Sequence, residues 1–256
     1  MITSTTDTGS VKTHTVVIVG GGAAGISVAS SIHKRDSAID IAIIEPAARH
    51  HYQPGWTMVG GGVFRPEVTS KPMSDVIPGF VSWYQQPVTA IDQDNNQVTL
   101  DDGSSIGYTA LVLAPGLELN WGGIEGLEDA LGSNGVTSNY REGMASYTWD
   151  MVQNLKKGRA LFSQPPMPIK CAGAPQKAMY LSADYWLKHG VLSNVDIQFH
   201  NAGAVLFGVA DYVPALEAYI EKYGIDLHFQ STLVAVNGPS KTAVFRSTDA
   251  DGNNQD

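Results

Sequence analysis

The feature that most constrains this chain is Gly20-x-Gly22-x-x-Gly25, set between two segments of different periodicity. Before it, residues 14–19 (HTVVIV) form a β-branched apolar run that reads as a buried parallel strand. After it, residues 26–34 carry Val28, Ala29 and Ile32 at helical spacing. A second apolar strand, residues 40–44, then ends at Glu45, twenty residues beyond Gly25. Each part has a mechanical task in a dinucleotide-binding βαβ unit. Gly20 makes the tight turn, Gly22 lets backbone N–H groups approach a pyrophosphate, and Gly25 lets helix and strand pack closely. Glu45, at the tip of the second strand, is placed to accept hydrogen bonds from a ribose diol. The pattern does not by itself separate FAD from NAD. It does explain residues 15–32, an uncharged stretch long enough to raise the question of a membrane span. A glycine turn at its centre suits a strand and a helix better than one continuous apolar helix.

Composition narrows the partners. Acidic residues outnumber basic ones, 25 against 16, and no Lys/Arg block occurs, so no nucleic-acid footprint is expected. A lone cysteine, Cys171, excludes a disulfide within the chain and argues against a Cys-rich metal site. Adjacent His50 and His51 diverge rather than chelate, and no metal is expected. Residues 1–13 form a polar extension without the apolar core of a secretory leader, so the chain reads as soluble and cytoplasmic.

Residues 50–62 (HHYQPGWTMVGGG) read as a ligand-lining loop, with burial of its own aromatics as the alternative. Strands are expected at 87–91 and 97–100, joined by the polar turn 92–96. Residues 108–114 (YTALVLA) form a buried strand that stops at Pro115-Gly116. A glycine-turn βαβ, a small antiparallel insert and a strand ending Ala114-Pro115-Gly116 is the layout of an FAD domain. A plain dehydrogenase would continue to alternate helix and strand.

A second βαβ unit is expected from strand 159–163, helix 176–189 and strand 195–200 (VDIQFH). Its turn has no glycine triplet. Pro165, Pro166 and Pro168 remove N–H donors and stiffen the loop, so it cannot form the same pyrophosphate nest. His200 ends the second strand where an acid would grip an NAD ribose, and a nicotinamide site is not expected. Cys171 instead precedes a helix opening near Pro175, with Lys170 beside it and Lys177 in the first turn, surroundings that favour a thiolate. A helix at 211–223 stops at Gly224, with Tyr212, Leu216 and Tyr219 expected in the core. Strands at 225–230, 233–236 and 243–246 follow, and the polar tail 247–256 ends no recognisable element.

The segments HYQPGWTMVGGG (51–62), LVLAPGLELNW (111–121) and IKCAGAPQKAMYLS (169–182) resemble the sulfide:quinone oxidoreductases. These are flavoproteins with two dinucleotide-binding folds, and the likeness is to the branch that includes the mitochondrial enzyme. The resemblance supports an α/β fold. Residues 14–145 would be the first half of a split, Rossmann-like FAD-binding domain, and residues 146–250 an inserted Rossmann-like domain carrying the redox cysteine, ahead of a tail at 251–256. It implies FAD contacts at Ala23, Ala24, Glu45, Gln53, Val88 and Gly116, joining Gly20, Gly22, Gly25 and Ala114. Cys171 falls on the persulfide-forming member of two redox cysteines. The implied reaction has sulfide attack a disulfide or trisulfide between Cys171 and a partner cysteine. Sulfur passes to a sulfane-sulfur acceptor, and electrons pass through FAD to a quinone. Competing readings are a flavocytochrome c sulfide dehydrogenase, a type II NADH dehydrogenase and a non-catalytic FAD-binding remnant. The second cysteine, a Gly-Asp strand for the ribityl chain, the quinone-site residues and the segment for peripheral association with the inner face of the membrane are absent from these 256 residues. The chain is therefore expected to be part of a longer enzyme and to retain FAD weakly alone.

Overall fold

The structure, a computed structural model, describes residues 11–248 and 254–255. In chain order the elements begin with β1 (Lys12–Val19), α1 (Ala23–Arg35), β2 (Ile41–Ile44), β3 (Arg49–His51), α2 (Pro54–Gly60), β4 (Ser70–Pro72) and β5 (Ser82–Tyr84). They continue with β6 (Val88–Asp92), β7 (Gln97–Leu100), β8 (Ser105–Leu113), α3 (Leu127–Ala130), α4 (Met144–Asn154), β9 (Gly158–Gln164) and α5 (Ala174–Lys188). The last are β10 (Val195–Asn201), α6 (Val213–Tyr223), β11 (Asp226–Phe229), β12 (Ser231–Asn237), β13 (Thr242–Thr248) and β14 (Asn254–Gln255). Packing divides them into two compact units. Of the described residues, one holds those up to Tyr52 together with Ser70–Leu117, the other Gln53–Thr69 together with those from Glu118. By packing, the segment that follows Leu117 thus joins the second unit.

The first unit is built on a six-stranded sheet in the order β5-β2-β1-β8-β7-β6. Its parallel part, β5-β2-β1-β8, has the 3-2-1-4 order of a doubly wound nucleotide-binding sheet. Strand β1 pairs with β2 from Val16↔Ile41 to Val19↔Ile44, and with β8 up to Val19↔Leu113. The segments read as strands at 14–19, 40–44 and 108–114 thus lie side by side in parallel. All four residues of β2 are buried because both faces of the sheet are covered. Val16, Ile18, Ile41 and Ile43 pack with Ala29 of α1, while Val17 and Ile44 pack with Val98, Leu100 and Ile106. Burial of each such side chain stabilises by about 1.5–3 kcal/mol. The buried ring of His14 ties this layer to its rim, with Nδ1 2.8 Å from Asp40 and Nε2 2.8 Å from the Tyr84 hydroxyl.

The second unit carries a three-stranded parallel sheet, β11-β10-β9, with α5 and α6 in the connections. Its core joins Met179, Ala183 and Trp186 of α5 to Ile197 and Phe199 of β10 and to Val152 of α4. The Trp186 indole donates to the Val152 carbonyl at 2.9 Å, which satisfies the one polar atom of a fully buried side chain. Strands β12, β13 and β14 form a separate antiparallel sheet.

Three sequence expectations are corrected. Residues 50–62 are not a loop: they run from the end of β3 through α2, whose Trp56 and Val59 pack with Ala145 of α4. The glycines at its end permit close approach to α5 and α4, since a Cβ on Gly61 would stand 2.6 Å from Leu181 and one on Gly62 2.4 Å from Trp149. Leu216 of α6 packs on the core, but Tyr219 and the preceding Tyr212 are exposed, because the helix packs against α5 along one stripe only. Residues 254–255 do form an element, pairing with Ser247 and Thr248. Of the N-terminal extension, residues 12–13 belong to β1 and residues 1–10 lie outside the described residues, as do 249–253 and 256 of the tail.

Candidate functional site

In the first unit the turn between β1 and α1 is three residues long, Gly20 to Gly22, and each glycine stands where its chemistry is needed. Gly20 has φ +106°, and a Cβ there would fall 2.1 Å from the Ala114 carbonyl oxygen. A Cβ on Gly25 would fall 1.9 Å from the Gly20 carbonyl oxygen. Both positions exclude a side chain through contact with backbone, which cannot move aside. Gly22 differs: nothing lies within 4 Å of its Cβ direction, so the turn faces open space there.

Three strand ends are stitched around this turn. Gly20 N–H donates to the Ile44 carbonyl at 2.8 Å, Ala114 N–H to Val19 at 2.8 Å, and Glu45 N–H to Tyr84 at 2.9 Å. Helix α1 starts here with no side-chain cap and no acid in its first turn, and its first main-chain bond runs from Ile26 N–H to the Gly22 carbonyl. The preceding N–H groups and the positive end of the helix dipole therefore suit an anion, while His33, Lys34 and Arg35 complement the other end. Glu45 accepts from Gly21 N–H and from Ala47 N–H, each at 2.8 Å. One bond to each carboxylate oxygen leaves a lone pair on both for a diol. Gly116 (φ +83°) turns the chain after β8 and also faces open space. Beside it Leu113 and Leu117 are exposed apolar side chains. The residues present fit a dinucleotide.

Gly20, Gly22, Ala23, Ala24, Gly25, Glu45, Ala114 and Gly116 thus gather at the carboxyl ends of β1, β2 and β8. Val88 lies in the same unit, half-buried against the apolar layer under the sheet. Gln53 and Cys171 belong to the second unit, Gln53 at the start of α2.

Between β9 and α5 the corresponding turn is longer, residues 165–173, and contains Pro165, Pro166 and Pro168. Cys171 is exposed, two residues ahead of the Gly173 cap of α5. Its carbonyl accepts two hydrogen bonds, from Ala174 N–H at 3.1 Å and from the Tyr140 hydroxyl at 2.8 Å. Lys170 places its ammonium 5.6 Å from the centre of the buried Trp56 ring. Partial burial of that ammonium lowers the Lys170 pKa, and the neighbouring Cys171 charge opposes the shift. Burial raises the Tyr140 pKa, and the Cys171 charge raises it further. Sequence reasoning missed Tyr140 and the role of Trp56, because neither belongs to a periodic pattern or to a motif around the cysteine.

The second strand of this unit does not stop at His200: β10 runs to Asn201, and His200 lies inside it, paired with Ser163 of β9. Its Nδ1 lies 2.8 Å from the Ser231 hydroxyl, and its ring is stacked between His228 and Phe245. Burial lowers its pKa to about 4, with repulsion from His228 adding to the shift and Asp226 opposing it. Ser231, His228 and Phe245 thus surround the ring on three sides.

The sequence profile of the pyridine nucleotide-disulphide oxidoreductase family matches residues 14–157. Curated relatives include the mitochondrial sulfide:quinone oxidoreductase of Dictyostelium discoideum, 43% identical over 234 residues, 91% of this chain and 52% of that protein. That of Mus musculus is 38% identical over 237 residues, 93% of this chain and 53% of that protein. The chain spans about half the length of these curated relatives. Among solved structures, the sulfide:quinone oxidoreductase of Aquifex aeolicus matches with a TM-score of 0.77 at 23% identity, covering 95% of this chain and 56% of that one. At that identity the likeness is one of fold.

Proposed function

Because the chain belongs to the pyridine nucleotide-disulphide oxidoreductase family and is similar to sulfide:quinone oxidoreductases over nine tenths of its length, we propose that it forms the FAD-binding, cysteine-bearing part of a sulfide:quinone oxidoreductase. The observation that carries the reading is the contrast between its two turns. One is open, glycine-built and ready for a pyrophosphate. The other gives that place to prolines and an exposed cysteine.

In this reading Gly20 makes the turn and Gly25 lets the helix pack on the strand, the backbone N–H groups of Gly22, Ala23 and Ala24 hold the FAD pyrophosphate, and Glu45 holds the adenosine ribose. Gln53, Val88, Ala114 and Gly116 complete the contacts drawn from the resemblance, and the division into an FAD domain at 14–145 and an inserted domain at 146–250 follows it. When bound, FAD supplies a two-electron acceptor that a quinone reoxidises. The cysteine chemistry is nucleophilic substitution at sulfur. Sulfide attacks a bridge between Cys171 and a second cysteine from the longer protein, one sulfur–sulfur bond breaks, and a persulfide and a thiolate result. The thiolate carries the electron pair that sulfide gave up, and a sulfane-sulfur acceptor clears the persulfide. No helix among the described residues is long and apolar enough to cross a membrane. From the resemblance, the membrane quinone is reached by peripheral association through other parts of the protein.

The test is anaerobic titration of the full-length protein. Sulfide bleaches the flavin absorbance and NADH does not. Bleaching by NADH would overturn the proposal.

A further inference from the structure

Resting on the reading of Cys171 as the redox-active thiol, we infer that Tyr140 is a positioning residue that aims it. The Tyr140 hydroxyl and the Ala174 N–H converge on one acceptor, the Cys171 carbonyl, at 2.8 and 3.1 Å. Two donors on one carbonyl fix the peptide plane that carries the chain from the proline loop into α5, and with it the direction of the Cα–Cβ bond of Cys171. That bond matters because the side chain is exposed, and an exposed side chain is oriented by its backbone rather than by packing. On the other side of the cysteine, the Lys170 ammonium rests on the Trp56 ring, which is itself buried in the layer between α2 and α4. The Lys170-Cys171 pair is thus held at both residues by side chains remote in sequence, one 31 positions before the cysteine. Burial and the adjoining Cys171 charge both disfavour ionisation of the phenol, so it stays a donor through the neutral range. Phenylalanine in its place keeps the ring and deletes only the hydroxyl.

Because Cys171 is the only cysteine of the 256 residues, a nitroxide attached to the chain reports on that position alone. The Tyr140→Phe chain is expected to show a label at least about twofold more mobile than the parent. A control label in a Cys171→Ser, Ser240→Cys chain, on the turn between β12 and β13, is expected to be unaffected by Tyr140→Phe. In the full-length protein, the same substitution lowers kcat for sulfide about tenfold while flavin content and the KM for sulfide hold. Equal mobility at residue 171, or an unchanged kcat, overturns the inference. So does loosening at residue 240, which would make Tyr140 a general structural residue. A parent protein that holds flavin but does not oxidise sulfide overturns the functional reading instead, and the label still decides whether Tyr140 holds Cys171.

Discussion

Two strand–turn–helix units, β1-α1-β2 and β9-α5-β10, share a topology and differ in the turn between strand and helix. The first crosses from strand to helix in three glycines, with a carboxylate reaching back to the turn from the next strand. The second takes nine residues, three of them proline in its first half, and carries a stacked imidazole within its next strand. The backbone fold therefore specifies where a dinucleotide could sit, and a few side chains decide whether it does. In the second unit the helix start is retained while the turn ahead of it presents a thiol.

The largest effect that would sharpen this contrast is expected from Cys171→Ser in the full-length protein. Sulfide oxidation should fall by about a thousandfold or more while bound flavin is retained. Loss of flavin from this variant would break the separation of roles between the turns. Next in size is a pair of glycine substitutions. Gly25→Ala drives a Cβ into the Gly20 carbonyl and should cost about 3 kcal/mol, whereas Gly173→Ala meets its nearest atom at 3.9 Å and should change stability by under about 1 kcal/mol. Urea unfolding of the two variants measures both. A smaller effect is expected at the strand ends. Glu45→Gln should weaken FAD binding about tenfold, and His200→Gln should leave it unchanged, as read by flavin fluorescence on dilution. Equal losses would mean that both units hold the cofactor.

The smallest effect concerns pH. His200 is held in the fold with its pKa lowered from 6.5 to about 4, so between those values the unfolded chain binds more protons than the folded one. Its contribution is present above pH 6.5 and is lost as pH falls toward 4. The urea midpoint should drop across that window, and His200→Gln should flatten the drop. An identical slope in the variant would assign the acid sensitivity to other groups. His14 is the counterpart in the first unit: also buried, it is tied at both nitrogens by Asp40 and Tyr84 rather than stacked.

Much of the fold was legible in the chain. The βαβ turn, the parallel strands beside it, the antiparallel pair β6-β7 and the proline loop all follow from residues within a few positions of one another. Other features were not legible. The segment at 50–62 has the composition of a binding loop, yet its tryptophan is buried against α4, a helix some ninety residues downstream by the numbering. Tyr219 fits a helical stripe, but the width of the stripe that α6 buries depends on what lies under it.

The division has a physical cause. Glycine reaches φ values closed to other residues, and proline lacks an N–H wherever it is placed, so both turns were determined locally by residue type. The same holds for the run of β-branched residues that makes β1 and β2. What the tertiary structure alone decided are the pairings across long stretches of chain: Tyr140 on the Cys171 carbonyl, Lys170 on Trp56, and His200 between His228 and Phe245. Each depends on which helix or strand lies beside which. That is settled by burying whole faces of apolar side chains together, and no single motif encodes it.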